Sequence, residues 1–223
     1  MKLPTVTHLQ LRDTHRLIPS KHSGGGVLSR IADNESHLKD IFDLDHATNN
    51  RLLAENDLLP GIGVDELISG MPFHSIVNAS FTHASPEGSR FNGPDRGAWY
   101  AGCELATSQA EILFHKSKHY MEISWSHPDE TSYDDYLANF DADFHDIRGD
   151  AAFAACLDPD SYYASQALAA ELLRSGSIGV VYPSVRTIGT CLASFRPAAV
   201  VNIRKAGTYI FRWQGLDEPP YWS

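Results

Sequence analysis

The chain has 223 residues, of which 43% are hydrophobic and 21% are charged, and these values are ordinary for a globular protein of about one domain. Its formal net charge is −10, from 18 Lys and Arg against 28 Asp and Glu, which argues against direct nucleic-acid binding because DNA affinity depends on a basic face. An anionic small molecule is still compatible with this charge, since one or two arginines can bind a pyrophosphate within an acidic protein.

Two further features bear on cellular location and redox state. The sequence contains no apolar run near the ~20 residues of a membrane-spanning helix, and its first residues do not open a signal peptide, so we expect a cytoplasmic protein that does not bind a membrane. Cys103, Cys156 and Cys191 show no C-x-x-C spacing. We therefore expect neither disulfides nor a zinc site, and interpret the cysteines as small buried apolar side chains.

The N-terminal part of the chain combines a strand with helices. Residues 15–18 favour a short strand, and the triple glycine at 24–26 favours a flexible turn, because no P-loop Lys-Ser/Thr follows it. Residues 38–59 place leucines and other apolar side chains at helical spacing, which predicts one or two helices that end at Pro60.

The rest of the chain mixes strands and helices. Runs rich in β-branched and aromatic residues predict strands at 76–81, 99–102, 178–181, 192–195 and 200–203. Helical spacing predicts one helix entered at Thr107 or Ser108, and another over about 161–174 with Asp158 or Asp160 at its cap. Because the elements show no regular βαβ order, the sequence favours an α+β fold with a largely antiparallel sheet.

Acidic residues are concentrated between Asp129 and Asp150, where eight acids stand against the single base Arg148. Runs of like charge are usually solvated, so we predict an exposed loop or helix face, with a docking surface for a basic partner as the alternative. A calcium loop is disfavoured because Asp146 stands where the tight turn requires Gly.

Four polar residues suggest a site for a dinucleotide: Arg90, Tyr100 and Glu111 at near-even intervals, and Ser184 far downstream. An arginine fork, an aromatic face, a carboxylate and a hydroxyl are the groups needed to hold a dinucleotide and break its N-glycosidic bond. Each residue also has a purely structural interpretation. Arg90 fits a surface position, Tyr100 a strand tyrosine and Ser184 a loop cap, and Ser108-x-x-Glu111 matches the capping box of a helix.

Three other chemistries lack their motifs. His115 and His119 are spaced for one metal ion, but no H-E-x-x-H pattern or third ligand accompanies them. Ser184 has no G-x-S-x-G elbow around it, and no G-x-G-x-x-G follows a predicted strand. The sequence therefore favours neither a metalloenzyme, nor an α/β-hydrolase, nor a Rossmann oxidoreductase.

The motifs around the candidate residues resemble those of the RES-domain family, which is named for shared Arg, Glu and Ser residues and includes the toxins of certain bacterial toxin–antitoxin pairs. The family's G-x-R-x-N segment, tyrosine strand, glutamate helix and serine loop correspond to residues 88–92, 98–101, 108–111 and 179–186. An arginine in the family's first strand corresponds to Arg16.

The chain departs from the family pattern at two places. Phe91 replaces the more usual Trp, and the helical segment after the first strand is longer than in compact members. We therefore expect a single RES-like domain over residues 1–223, with a helical N-terminal insertion at about 38–60.

The resemblance implies an ADP-ribosyltransferase-like α+β fold, with helices flanking the sheet, that degrades NAD by hydrolysis or phosphorolysis. NAD is then the substrate, inorganic phosphate is an optional co-substrate, and neither a metal nor another cofactor is expected. In that reaction Glu111 stabilises positive charge at the anomeric carbon, and Arg90 and Arg16 hold the pyrophosphate. Tyr100 stacks on nicotinamide or ribose, and Ser184 orients the ribose or the amide.

The resemblance also implies a partner, a helix-turn-helix (Xre-type) antitoxin that forms a hetero-oligomer with the chain and blocks its site. Two other functions use the same residues. One is an ADP-ribosyltransferase that modifies a cellular protein, and the other is a non-catalytic nucleotide-binding module. The products formed from NAD distinguish the three.

Overall fold

A seven-stranded sheet organises the described part of the chain. The computed structural model describes residues 2–23 and 61–223, so the predicted triple-glycine turn and helical insertion lie outside the described residues. The strands are β1 (Thr5–Pro19), β2 (Trp99–Gly102), β3 (Asp129–Asp146), β4 (Gly179–Pro183), β5 (Thr190–Ser194), β6 (Val201–Trp213) and β7 (Tyr221–Trp222). In these two described ranges the α-helices are α1 (His74–Thr82), α2 (Leu105–Glu122) and α3 (Tyr163–Arg174), and short 3-10 helices lie at Ser20–His22, Val64–Glu66, Ala151–Leu157 and Pro197–Ala199.

The two longest strands, β1 and β3, form the spine of the sheet. They pair antiparallel from Thr5↔Asp146 to Pro19↔Tyr133, with an irregularity around Asp13, whose φ is 56°. β2, β5 and β4 follow from β1 in antiparallel order, and β4 returns to β3 in a short parallel pairing, so five strands close into a ring. β6 and β7 extend the sheet from β3. The α+β class with a largely antiparallel sheet, predicted from the sequence, is confirmed.

Each of the three α-helices within the described residues packs apolar side chains against the sheet, in three clusters. The α-helical members of these clusters that are no more than 5% exposed are Val77 and Phe81 of α1, Leu168, Ala169 and Leu172 of α3, and Tyr120 of α2. Within the two described ranges, no helix is both long and apolar enough to cross a membrane.

The segment predicted as a strand at 76–81 is helix α1, so that prediction is wrong. Its buried side chains Ile76, Val77 and Phe81 share one helical face. β-branched and aromatic residues favour strands, but the hydroxyls of Ser80 and Thr82 donate to carbonyls one turn back and so find partners within the helix. Burial of the apolar face against the sheet outweighs the local preference.

The acidic segment is not the exposed loop or helix face that its charge predicts. It forms β3, which is paired on both sides, and Asp134 and Asp135 are only 3% and 1% exposed. Burial alone would raise the pKa of Asp134, but hydrogen bonds from Lys205, Thr208 and Ser20 lower that pKa to about 2. The number of charged residues in a segment does not reveal which of its carboxylates are buried and hydrogen-bonded in the fold.

Element boundaries also differ from the predicted ones. β1 and β6 extend well beyond the short strands predicted there, because both pair with the long β3. α3 begins at Tyr163, and Asp158 accepts hydrogen bonds from the backbone N–H groups of Asp160 and Ser161 in the preceding turn instead of capping the helix. The predicted caps are therefore wrong, although the helix itself is confirmed.

A buried ion pair ties the segment before α1 to the sheet. Arg96, 7% exposed, donates through both Nη atoms to the carboxylate of Glu66 at 2.8 Å each, and also donates to the carbonyls of Gly61 and Phe195. Arg196 donates to the same carboxylate at 2.6 Å. These hydrogen bonds, above all those from Arg96, lower the pKa of Glu66 to about 2.

Replacing Glu66 with Gln should destabilise the protein by about 3 kcal/mol, because it leaves the buried guanidinium of Arg96 without a carboxylate. The folded pKa of about 2 lies below the usual value of 4.5, so this stabilisation is present above pH 4.5 and is lost as the pH falls towards 2. Chemical denaturation at a series of pH values measures both effects. As a control, Glu171→Gln removes an exposed pair with Arg174 and should cost less than about 1 kcal/mol. Equal losses for the two variants would contradict the prediction.

Candidate active site

A cavity of about 790 Å³ lies between β1, β2, α2 and the N-terminal end of α3. Its volume is within the roughly 300–1,000 Å³ that is typical of small-molecule sites. Four of the five candidate residues line it, namely Arg16, Arg90, Tyr100 and Glu111. Ser184 does not line the cavity but donates a hydrogen bond to Glu111. The fold thus brings all five residues, which are far apart in the sequence, to one place.

Glu111 lies in the second turn of α2. The helix begins earlier than predicted, with Glu104 in the N-cap position. The hydroxyl of Ser108 donates to the carbonyl of His15 and accepts from the N–H of Gly102, so it joins the helix to β1 and β2. The capping-box interpretation of Ser108-x-x-Glu111 is therefore wrong, and the Glu111 carboxylate is available to the cavity.

Ser184 holds the carboxylate of Glu111. Its Oγ donates to Glu111 Oε1 at 2.8 Å and accepts from the backbone N–H groups of Arg186 and Thr187 at 3.1 and 3.3 Å. The thiol of Cys191 lies 4.0 Å from the same carboxylate oxygen, and burial raises its pKa, so it stays protonated. Because the single proton of Ser184 is committed to Glu111, this arrangement lets Ser184 act on a ligand through Glu111 rather than directly.

Arg90 is only 6% exposed, so its interpretation as a surface residue is wrong. Its Nη1 donates to the carbonyls of Cys156 and Asp158 at 3.1 and 2.7 Å, and its guanidinium lies 4.8 Å from the ring centroid of Tyr162. Both acceptors are neutral. Among the described residues the charge of Arg90 therefore has no carboxylate partner, and an anion in the cavity can compensate it.

Arg16 is the second arginine of the cavity wall. Its Nη1 donates to the carbonyl of Tyr100 at 3.1 Å, and its guanidinium lies 4.8 Å from the ring centroid of Trp99. Burial lowers the pKa of Arg16 to about 10, which leaves it charged at neutral pH. Its Nε is buried without a hydrogen-bond partner in the described part of the chain.

The hydroxyl of Tyr100 supports the turn that carries Arg90. It donates to Asn92 Oδ1 and accepts from the N–H of Phe91, both at 2.8 Å, and burial raises its pKa. Gly88 permits this turn because its φ is 72° and a Cβ there would collide with the carbonyl oxygen of Asn92. Tyr100 is therefore more than a strand tyrosine with a solvated hydroxyl, since it links β2 to the Arg90 turn.

One side of α2 completes the wall and was not predicted from the sequence. Its cavity-lining residues follow a helical spacing and include Glu111, His115, Lys118, His119 and Glu122. Burial lowers the pKa of His115. His115 and His119, whose spacing was first considered for a metal ion, both lie on this face of the helix. The described residues contain no cluster of three or more side chains that could bind a metal ion. Extending the helical period from Glu111 would have identified this wall.

Comparison with known proteins identifies the family. The family model described as "RES domain" matches residues 69–214, more than half of the chain, and the chain therefore belongs to the RES-domain family. The matched range includes Arg90, Tyr100, Glu111 and Ser184 but not Arg16.

Among solved structures, the chain is similar to a chain of the M. tuberculosis MbcT–MbcA toxin–antitoxin complex. The two are 14% identical, with a TM-score of 0.44, and the likeness covers 59% of this chain and 73% of that chain. Among curated proteins, none is significantly similar in sequence.

Replacing Tyr100 with Phe should destabilise the protein by about 1–3 kcal/mol, because it leaves the buried N–H of Phe91 and the Oδ1 of Asn92 without their partner. Urea denaturation measures this loss. Tyr221→Phe alters a hydroxyl on a residue that is 45% exposed and should change stability little. If Tyr100→Phe proved as stable as the wild type, the hydroxyl would not be what holds the turn.

Proposed function

We propose that the chain degrades NAD by cleaving the bond between nicotinamide and ribose, as a glycohydrolase or a phosphorylase. The proposal rests chiefly on the convergence of Arg16, Arg90, Tyr100 and Glu111 on one cavity of about 790 Å³. Two cations, an aromatic ring and a carboxylate match the pyrophosphate, the nicotinamide and the ribose of the dinucleotide. Membership of the RES-domain family supports the same reaction.

Glu111 stabilises the transition state. Cleavage of the N-glycosidic bond builds positive charge at the anomeric carbon, as in other glycosyl transfers with oxocarbenium-like transition states. The Ser184 hydroxyl occupies Oε1 of Glu111, which fixes the orientation of the carboxylate and leaves Oε2 for the ribose. A charge held in place before the reaction lowers the barrier because it need not reorganise as the bond breaks.

Arg16 and Arg90 hold the pyrophosphate. A guanidinium binds phosphate oxygens through a planar fork that lysine cannot reproduce. Both guanidinium groups are fixed by backbone carbonyls and aromatic rings, so they are placed for a ligand before it arrives. Tyr100 contributes its ring to the same wall, next to the nicotinamide or the ribose, while its hydroxyl remains bound to the Arg90 turn.

Water or inorganic phosphate accepts the ribosyl group. Nicotinamide leaves as a neutral molecule, because its ring nitrogen is already positive in NAD, so its departure needs no proton donor. Incubation of purified protein with NAD identifies the acceptor. ADP-ribose indicates hydrolysis, a phosphorylated ADP-ribose formed only with phosphate indicates phosphorolysis, and a labelled protein indicates ADP-ribosyl transfer. Binding of NAD without products indicates a non-catalytic module.

We further infer that the chain is the toxin of a toxin–antitoxin pair, acting in the cytoplasm and held as a hetero-oligomer with a helix-turn-helix (Xre-type) antitoxin. A free enzyme that destroys NAD harms the cell that makes it, so its site must be blocked until needed. The exposed carboxylates of β3, among them Asp141 and Asp143, provide negative charge for a basic partner surface. Such charges affect the association rate more than the final affinity.

Replacing Glu111 with Gln should lower NAD turnover by roughly 100-fold to 1,000-fold, as is typical for the loss of one preorganised electrostatic group. The melting temperature should stay close to that of the wild type, because Glu111 does not cap its helix. Turnover and melting are measured on the same preparations. Glu171→Gln, on the exposed surface of α3, is the control and should retain full turnover. Normal turnover in Glu111→Gln would refute the catalytic role.

Expression of the chain alone in bacteria should arrest growth and deplete NAD, because nothing then blocks the cavity. Glu111→Gln at the same expression level should do neither, and co-expression of the antitoxin should relieve both effects of the wild type. Growth curves and NAD in cell extracts are the measurements. A folded, soluble wild-type protein that leaves growth and NAD unchanged would refute the toxin proposal and favour the non-catalytic module.

A further inference from the structure

A histidine–aspartate pair lies at the cavity wall, outside the motifs that identify the family. His15 of β1 lines the cavity, and its Nδ1 lies 2.8 Å from Oδ2 of Asp135 on β3. The strand register places Asp135 opposite Leu17, so His15 and Asp135 are diagonal neighbours on one face of the sheet. The contact is therefore fixed by strand pairing and does not depend on a loop.

Asp135 is buried in a way that favours a positive charge beside it. The residue is 1% exposed, and its Oδ1 is buried without a hydrogen-bond partner in the described chain. Burial raises the pKa of Asp135, and the hydrogen bond with His15 opposes that effect. A buried carboxylate with one unsatisfied oxygen is costly unless a cation compensates it. A proton transferred to the His15 ring during a reaction would supply that cation.

The second ring nitrogen of His15 is accessible. An ionised carboxylate can only accept a hydrogen bond, so Nδ1 carries the ring proton and Nε2 presents a lone pair. In the described part of the chain, Nε2 has no hydrogen-bond partner and is not sealed from solvent. The side chain is 21% exposed and belongs to the cavity wall. The ring of His15 is oriented by the carboxylate of Asp135, and its Nε2 faces the cavity that the acceptor molecule must enter.

We propose that the His15–Asp135 pair is the proton acceptor for the water that attacks the ribose of NAD, an inference that rests on the proposed NAD cleavage. The water oxygen bonds to the anomeric carbon while the bond from that carbon to the nicotinamide nitrogen breaks, and the bonding pair leaves with nicotinamide. The water proton passes to Nε2 of His15 and then to solvent. The products are ADP-ribose, nicotinamide and one proton.

Several other ionisable groups face the same cavity and must be separated from His15. They are Glu111, His115, Lys118, His119 and Glu122 of α2, Arg16 of β1, Tyr100 of β2, Tyr182 of β4, Cys191 of β5, and Glu87, Arg90, Asp160, Tyr162 and Tyr163 of the connecting segments and α3. Histidines are the groups that titrate near neutral pH. Variants of His115 and His119 are therefore needed beside those of His15.

The matched control is a second pair on the same two strands. Nδ1 of His8 lies 2.8 Å from Oδ1 of Asp143, but their side chains are 57% and 66% exposed and neither residue lines the cavity. His8→Gln therefore removes the same kind of contact from the same strand pairing. It should leave the rate of NAD hydrolysis unchanged.

The test is the rate of NAD hydrolysis at several pH values in phosphate-free buffer. His15→Gln should lower kcat by roughly 100-fold, with KM little changed, and should alter the pH profile of kcat, because a proton acceptor has been removed. Asp135→Asn should also lower kcat, because the ring of His15 loses the carboxylate that orients it. His115→Gln and His119→Gln should leave the shape of the pH profile as in the wild type.

Added azide separates loss of the base from loss of the fold. Azide is a nucleophile without a proton to remove, so it should restore turnover of His15→Gln by forming ADP-ribosyl azide. A kcat and pH profile of His15→Gln equal to those of His8→Gln, or a failure of azide to restore turnover, would overturn the inference while leaving NAD cleavage intact. Absence of NAD cleavage by the wild-type protein both with and without phosphate would overturn the proposed function and this inference together, whereas cleavage only with phosphate would overturn this inference alone.

Discussion

The antiparallel pairing of β1 with β3 determines where the polar groups of the cavity lie. It fixes Arg16 on the wall and brings His15 to Asp135, and β3 also pairs with β4. β4 in turn leads into Ser184, whose hydroxyl holds Glu111. A slip of one residue turns every side chain of a strand to the opposite face of the sheet. An error in the pairing of β1 with β3 would therefore displace Arg16 and His15 and, through β4, also Ser184.

Three arginines of the described fold, Arg96, Arg16 and Arg90, are held in two different ways. Arg96 donates through both Nη atoms to the carboxylate of Glu66, which neutralises its charge. Its role is therefore to stabilise the fold. Arg16 and Arg90 are held instead by backbone carbonyls and aromatic rings, and neither has a carboxylate partner among the described residues. A carbonyl fixes the position of a guanidinium without cancelling its charge. An acidic protein of net charge −10 can therefore carry uncompensated positive charge at the wall of one cavity.

Local patterns and family motifs predicted the fold class, strands β2, β4 and β5, helices α2 and α3, and four residues that line the cavity, whereas long-range pairing decided the extent of β1, β3 and β6. The true length of β1 and the strand formed by the acidic segment escaped prediction because each depends on a partner far away in the sequence. Ser108 matched the sequence pattern of a capping box, but in the fold its hydroxyl donates a hydrogen bond to the carbonyl of His15. The contact between His15 and Asp135 has no sequence signature, since only the register of two distant strands creates it.

The cavity is assembled from segments spread over most of the chain. Its wall runs from His15 of β1 to Cys191 of β5, and Thr5 has no partner until Asp146 has been made. Pairings between such distant segments form late, because the entropy of closing the loop must be overcome first. During translation the N-terminal segments leave the ribosome first. A nascent chain therefore cannot complete the wall of this cavity until β5 has emerged from the ribosome, and a molecule whose synthesis stops before that point lacks part of that wall.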